Sequence, residues 1–207
     1  MTDMTTVNAD AGAAQERKAP GRPRNAQADG AILEAVLELL SAGQSAAAIS
    51  IEAVAAKAGV GKATIYRRWP NKEALLIDAV QAMKGPLPAL PGTSVREDLI
   101  LLITANRSGR FHRHSKATVC LMPEINSDDS LRRQYQAVIE PRREFMRDVL
   151  RRGIARGELR ADLDIEIALL MLSGPSMVQT MLGWAPDMPD ETFVESLVDA
   201  FLRGAQA

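Results

Sequence analysis

The stretch that most constrains this chain runs from Ser50 to Leu76, SIEAVAAKAGVGKATIYRRWPNKEALL. Ile51, Val54, Ala55 and Ala58 recur at helical spacing. Ser50 stands where a side-chain oxygen can accept a bond from a free backbone N–H of the first turn. Gly59 stands where that helix must stop, at a C′ position that favours a residue able to adopt φ > 0. Val60 plugs the turn, and a second helix is predicted from Gly61 or Lys62 through Thr64, Ile65 and Tyr66 to Trp69. Pro70 ends it, because the residue before a proline is pushed out of the α region. Asn71 can cap a further helix that opens with Lys72 and Glu73. Helix, glycine turn and helix make a helix-turn-helix, whose second helix can enter the major groove of DNA.

The charge agrees with that plan. Lys57, Lys62, Arg67, Arg68 and Lys72 cluster with no acid between the first and the last of them. The chain as a whole carries a formal charge of only −1, so the basic cluster is local, as a phosphate footprint is. Upstream, Arg17 to Arg24 holds four basic residues and two prolines. This reads as an extended arm, with Arg22 and Arg24 placed to enter the minor groove beside the helix-turn-helix. Gly21-Arg22-Pro23 is similar to the core of an AT-hook, and a solvated basic tail is the other reading of the same residues.

VGKATIYRRWPNKEALL resembles the recognition helix and following helix of the tetracycline-repressor (TetR) family of bacterial regulators. The resemblance covers roughly Asn25 to Leu76, with Gly59-Val60, Lys62, Thr64, Tyr66, Trp69 and Lys72 in register. It implies an all-α chain, with a helix-turn-helix domain on a helical ligand-binding and dimerisation domain. It also implies that the Tyr66 hydroxyl and the Lys72 ammonium bind phosphates, with Lys62, Ala63 and Thr64 nearest the base edges. Lys62 could then donate to guanine, and the Thr64 methyl could meet a thymine methyl. Ser50 could serve as both cap and phosphate donor, and Arg67 could touch phosphate.

The rest of the chain reads as helix. Residues 1–24 form a small, polar tail, expected to be disordered, that ends in the basic arm; residues 25–84 are the DNA-binding domain and 85–207 the C-terminal domain. Asn25 is the expected cap of the first helix, whose face carries Ile32, Leu33, Val36, Leu39 and Leu40. The boundary falls at Gly85–Gly92, where three prolines and two glycines in eight residues interrupt any regular element. Beyond it, helices are predicted over Val95 to about Asn106, over Thr118 to Ile125 broken by Pro123, and from Asp128 onward with a kink or restart at Pro141. Arg151, Arg152 and Arg156 are read as charges favoured by that helix's C-terminal end. Asp164 starts a helix that carries no charge from Ile167 to Pro186. Gly174-Pro175 should bend it, and it is read as buried within protein rather than as a membrane span, since polar residues and glycines interrupt it. The last helix, from Asp190, shows a Phe193, Leu197, Val198 and Phe201 stripe, and in the TetR family the last two helices make the dimer.

The candidate ligand-lining residues are Phe111, Met122, Tyr135, Met146, Met171, Met177 and Trp184, the large or adaptable side chains of the C-terminal half. His112, His114 and Cys120 do not make the four-ligand set of a structural zinc site; the histidines read as exposed loop residues and the thiol as buried. No metal or cofactor is expected. No nucleophile elbow, phosphate loop or sheet is legible, which argues against an enzyme. The single cysteine suits a reducing cytoplasm, and the N-terminus has no basic start followed by an apolar core. The expected partners are a palindromic DNA operator, a small-molecule effector of unknown class and a second copy of the chain, with no membrane. Two other readings stay open: an architectural DNA-binding protein without effector, and a helical small-molecule carrier.

Overall fold

The structure is a computed structural model that describes residues 23–107, 113–184 and 187–206. The elements are α1 (Pro23–Ser41), α2 (Ile51–Ala58), α3 (Lys62–Tyr66), α4 (Lys72–Lys84), α5 (Val95–Arg107), α6 (Ser115–Ser127), α7 (Asp129–Ala155), α8 (Ile165–Leu182) and α9 (Asp190–Ala205). The one β-bridge among the described residues, Leu159 to Gln206, ties the turn after α7 to the C-terminus.

Short-range chemistry sets most helix starts. The side chains of Ser50, Asn71, Asp128 and Asp164 each accept a bond from a backbone N–H of the first turn. The prolines depart from expectation. α1 begins at Pro23, not after a cap at Asn25, because a proline at the first helical position lacks only an N–H that would have no helical partner there. The basic arm is shortened accordingly, since Pro23 and Arg24 already have helical backbone. Pro123 does not break α6, and Pro141 does not restart α7, which runs unbroken for 27 residues. Each proline costs its helix one hydrogen bond, and packing of the neighbouring turns outweighs that loss.

Two cores result. α1 packs on α2, α4 and α6, and buries Ile32, Val36, Leu40, Val54, Ile65, Trp69, Leu75 and Leu76 together with Leu121, Met122 and Ile125 of α6. The helix-turn-helix core is therefore continuous with a helix of the C-terminal half. The second core joins α5, α7, α8 and α9 around Leu99, Leu150, Leu169, Leu172, Val198 and Phe201. The stripe of α9 is thus turned inward: Val198 and Phe201 are buried, and Phe193 and Leu197 pack against the same core. At the crossing of α5 and α7, Gly153 lets the chains approach so closely that an added Cβ would lie 2.4 Å from Val95 Cγ2.

The stretch of α8 without charge, from Ile167 on, is not buried in the chain. Ile167, Leu170, Met171, Met177, Val178, Met181 and Leu182 are exposed along it, because only Ala168, Leu169 and Leu172 are fully buried. By length and composition α8 could cross a membrane.

Candidate nucleic-acid interface and effector cavity

The turn between α2 and α3 has the geometry its sequence demands. Gly59 adopts φ 67°, and its N–H closes the last turn of α2 on Ala55 and Ala56. Val60 N–H follows with a 3.0 Å bond to the Ala55 carbonyl. α3 itself stops at Tyr66, shorter than predicted, but Arg68 and Trp69 still donate to the Ile65 carbonyl at 2.9 Å. Ile65 is wholly buried, and the Trp69 indole packs inward with its N–H donating to Asp78 at 2.8 Å. These two anchors fix α3 and leave Lys62, Ala63, Tyr66 and Arg67 facing outward. Tyr66 is 53% exposed, which places its ring and hydroxyl on the surface, not in the small core.

The basic cluster is more nearly neutral than the local sequence suggests. Lys62 Nζ donates to Glu52 at 2.8 Å, and this bond is the main reason its pKa is raised and that of Glu52 lowered. Lys57 pairs with Glu38 at 2.9 Å, and Arg68 with Asp29. Lys72 donates to the carbonyls of Ala46 and Ala47, both at 3.1 Å, so two of its three N–H groups clamp the loop ahead of α2. Arg67 is exposed with no ion pair among the described residues. Ser50 Oγ accepts from Ala53 N–H at 3.1 Å. The acids come from α1 and α2, outside the segment that reads as purely basic. Arg22 lies outside the described residues, and only the helical backbone of Arg24 is described.

A second site lies in the C-terminal half. A cavity of about 380 Å³ opens between α4, α5, α6, α7 and α8, within the size range of small-molecule sites. Ile103, Ile139, Leu169, Leu172 and Met181 give it an apolar wall, and Lys84, Asn106, Arg107, Thr118, Arg142 and Arg143 add polar groups. Arg142 donates to Asn106 Oδ1 at 2.9 Å and to the carbonyls of Lys84 and Gly85. Burial and the Arg142 charge push the Lys84 ammonium down to about 8, and burial pushes the Tyr135 phenol up.

The family models match this division of labour. Residues 32–79 match the model of bacterial regulatory proteins of the tetR family, and residues 91–201 match the tetracyclin repressor-like C-terminal domain. The chain belongs to the tetR family. It is similar to the HTH-type transcriptional regulator YdeS of Bacillus subtilis, 31% identical over 90% of this chain and 94% of that one. It is 26% identical to the fatty acid metabolism regulator protein of Bacillus subtilis over 65% of this chain and 72% of the relative. The fold superimposes on the crystal structure of the regulator FadR from Bacillus subtilis in complex with stearoyl-CoA, at TM-score 0.70 and 22% identity, covering 84% of this chain and 98% of that one. A tetR-family transcriptional regulator is a DNA-binding protein and not an enzyme, so the helix-turn-helix carries the function.

In this tetR-family chain the expected ligand-lining residues divide. Tyr135, Met146 and Met177 line the cavity. Met122 does not; it is buried in the N-terminal core, because its helix packs on α1. Met171 and Trp184 face outward, 53% and 75% exposed, on the unpartnered side of α8 and just beyond it. Phe111 and His112 lie outside the described residues. Sequence reasoning missed Lys84, Arg107 and Arg142, whose common cavity depends on helices far apart in the chain. It also read His114 as exposed. His114 is buried, with Nδ1 3.1 Å from Ser41 Oγ and Nε2 2.9 Å from Glu34 Oε1, so it joins α6 to α1. Cys120 is half-buried. Arg152 and Arg156 are not simple helix-end charges: Arg152 pairs with the buried Asp98, and Arg156 donates to the Gly92 carbonyl at 2.7 Å. Arg151 pairs with Glu144 and Asp148 on the surface.

Proposed function

We propose that the chain is a homodimeric repressor that holds a palindromic operator and releases it when a small molecule fills the cavity. The observation that carries this reading is the course of α4. Its first residue, Lys72, is fastened to the loop ahead of α2, and its last, Lys84, stands in the cavity wall. A single rigid helix thus joins the DNA-reading unit to the ligand site. A molecule that fits one setting of α4 better than the other shifts the population of DNA-competent dimers by its differential affinity. FadR, of the same fold, was crystallised with stearoyl-CoA, which supports an organic effector for this chain.

At the DNA, Lys62, Ala63 and Thr64 read base edges, Lys62 exchanging Glu52 for a guanine. Tyr66, Arg67, Ser50 and the remaining N–H of Lys72 bind phosphate, and Arg22 and Arg24 add arm contacts. The dimer forms through α8, whose exposed Ile167, Leu170, Met171 and Leu182 make an apolar strip of the kind that marks an interaction surface. Such a regulator works on DNA in the cytoplasm. The test is a thermal-shift ligand screen followed by operator titration with and without each hit. The reading expects cavity ligands to lower operator affinity. Ligands whose binding Met146→Trp abolishes, yet which leave operator affinity unchanged, refute it.

A further inference from the structure

Several hydrogen-bonding groups of the cavity wall lack a partner. Thr118 Oγ1, Ser176 Oγ and Arg107 Nε are buried and bond to nothing among the described residues. Thr118 is 7% exposed and the Arg107 side chain 11%, so bulk water does not serve them. Tyr135 lines the same cavity, and burial, with no hydrogen bond to a described residue, raises its pKa. Buried polar groups without partners are rare in folded proteins. These donors come from separate helices of the wall, Arg107 from α5, Thr118 from α6, Tyr135 from α7 and Ser176 from α8. They are not gathered at one helix end, as the holders of a single head group would be.

The cations of the wall are already engaged. Arg107 is matched by Asp190 at 2.6 Å, and Arg143 by Glu140 and Glu166. Arg142 donates to Asn106 and to the carbonyls of Lys84 and Gly85, and Lys84 is itself partnered. A carboxylate set against Arg107 Nε would lie beside the like charge of Asp190 and would lose its water in a largely apolar wall. A neutral carbonyl or ether oxygen accepts the same hydrogen bonds without either cost.

We infer that the cavity takes an uncharged, polyoxygenated molecule, an apolar ring system or chain with acceptor oxygens at two or more points, held by Thr118, Tyr135 and Ser176. This rests on the cavity being the effector site. Turning about Cα–Cβ moves the Thr118 or Ser176 oxygen between staggered positions, and an acceptor in the cavity favours the inward one. The apolar body covers Ile139, Leu169 and Leu172 of the same wall. Thr118 also lies one turn beyond His114, whose ring holds α6 to Ser41 and Glu34 of α1. The ligand therefore touches the helix that braces the DNA-reading unit.

The test is calorimetric titration of the full-length protein, without DNA, with two matched sets of probes. One set is xanthene, xanthone, a dimethoxyxanthone and a xanthone carboxylate; the other is dodecanone, dodecanedione and dodecanoate. In at least one set, affinity should rise at least about tenfold from the oxygen-poorest to the oxygen-richest neutral probe, which should also bind tighter than the carboxylate. At least two of Thr118→Val, Tyr135→Phe and Ser176→Ala should lower the affinity for the richest probe about three- to tenfold more than for the poorest. A merely structural role for these hydroxyls would lower both alike. Thr118→Val should also raise the melting temperature of the ligand-free protein, because it removes a buried hydroxyl that has no partner. Carboxylates that bind tightest in both sets, no gain with added oxygen, no binding by any probe, such a selective loss in fewer than two variants, or a lower melting temperature for Thr118→Val overturns the inference. Because ligand binding is read without DNA, a neutral probe that binds as expected but leaves operator affinity intact would count against the repressor mechanism alone.

Discussion

Lys84 gives the most quantitative expectation. It ends α4 in the cavity wall, where burial and the Arg142 guanidinium lower its pKa from 10.5 to about 8. Lys84→Met keeps most of the apolar stem and removes the ammonium. A fall from 10.5 to about 8, at about 1.4 kcal/mol for each tenfold change in proton affinity, puts the cost of the charged amine near 3 kcal/mol at neutral pH. Water at the half-buried stem and the contacts of the amine itself offset part of that cost, so the ligand-free variant should gain about 1–3 kcal/mol. The pH dependence follows from the same values. The unfolded lysine keeps its proton up to about 10.5, while the folded one releases it near 8, so between those values the unfolded state binds more protons. Stability of the native protein from this group therefore rises with pH across that window, and the advantage of Lys84→Met shrinks. Urea denaturation of both ligand-free proteins, at equal concentration and at about pH 7 and about pH 9.5, reads the two differences. A variant less stable than the native chain at neutral pH, or an advantage equal at both values, would refute the reasoning.

Other expectations are more local. Tyr66→Phe should cost about 1.5–3 kcal/mol on operator and random duplex alike, as loss of a phosphate hydrogen bond does, whereas Lys62→Ala should weaken the operator by about 1–3 kcal/mol more than random DNA; anisotropy titrations distinguish them, and equal losses for Lys62→Ala would make it a phosphate contact. Ile167→Glu with Met171→Glu should give a folded monomer in sedimentation, because it buries charge in the strip assigned to the dimer, and a stable dimer would locate the interface elsewhere. Gly153→Ala drives a Cβ to 2.4 Å from Val95 and 2.8 Å from Leu159, so it should cost about 1–3 kcal/mol in thermal unfolding; an unchanged melting temperature would show that α5 and α7 can part there.

Features set by neighbours in sequence were legible. Ser50, Asn71, Asp128 and Asp164 cap within their own first turns, and Gly59 turns because of its own backbone freedom. The prolines were harder, because whether Pro123 or Pro141 breaks a helix is decided by what packs around it. His114 could not be placed, since its partners Ser41 and Glu34 lie 73 and 80 positions away. The charge of the DNA-reading face was misjudged for the same reason: Glu38 and Glu52 are upstream of the basic run and fold back onto Lys57 and Lys62. The stripe of α9 was correctly seen as apolar, but periodicity does not say which neighbour covers a stripe. Lys84 by itself is an ordinary helix-end lysine; Arg142, folded beside it from α7, is what makes it part of a cavity.

The central claim is that two copies of α3 read a symmetric site, and selection of bound duplexes from a random pool by the full-length protein tests it most directly. The account predicts enrichment of an inverted repeat whose half-site centres lie one helical turn apart, about 34–36 Å, or a separation matched to the dimer, with Lys62→Ala selecting a less defined half-site. Enrichment of A·T-rich duplexes without symmetry would assign DNA binding to the Arg-Pro arm of an architectural protein, and a pool with no enrichment would leave a helical carrier that reads no DNA; either result contradicts the account.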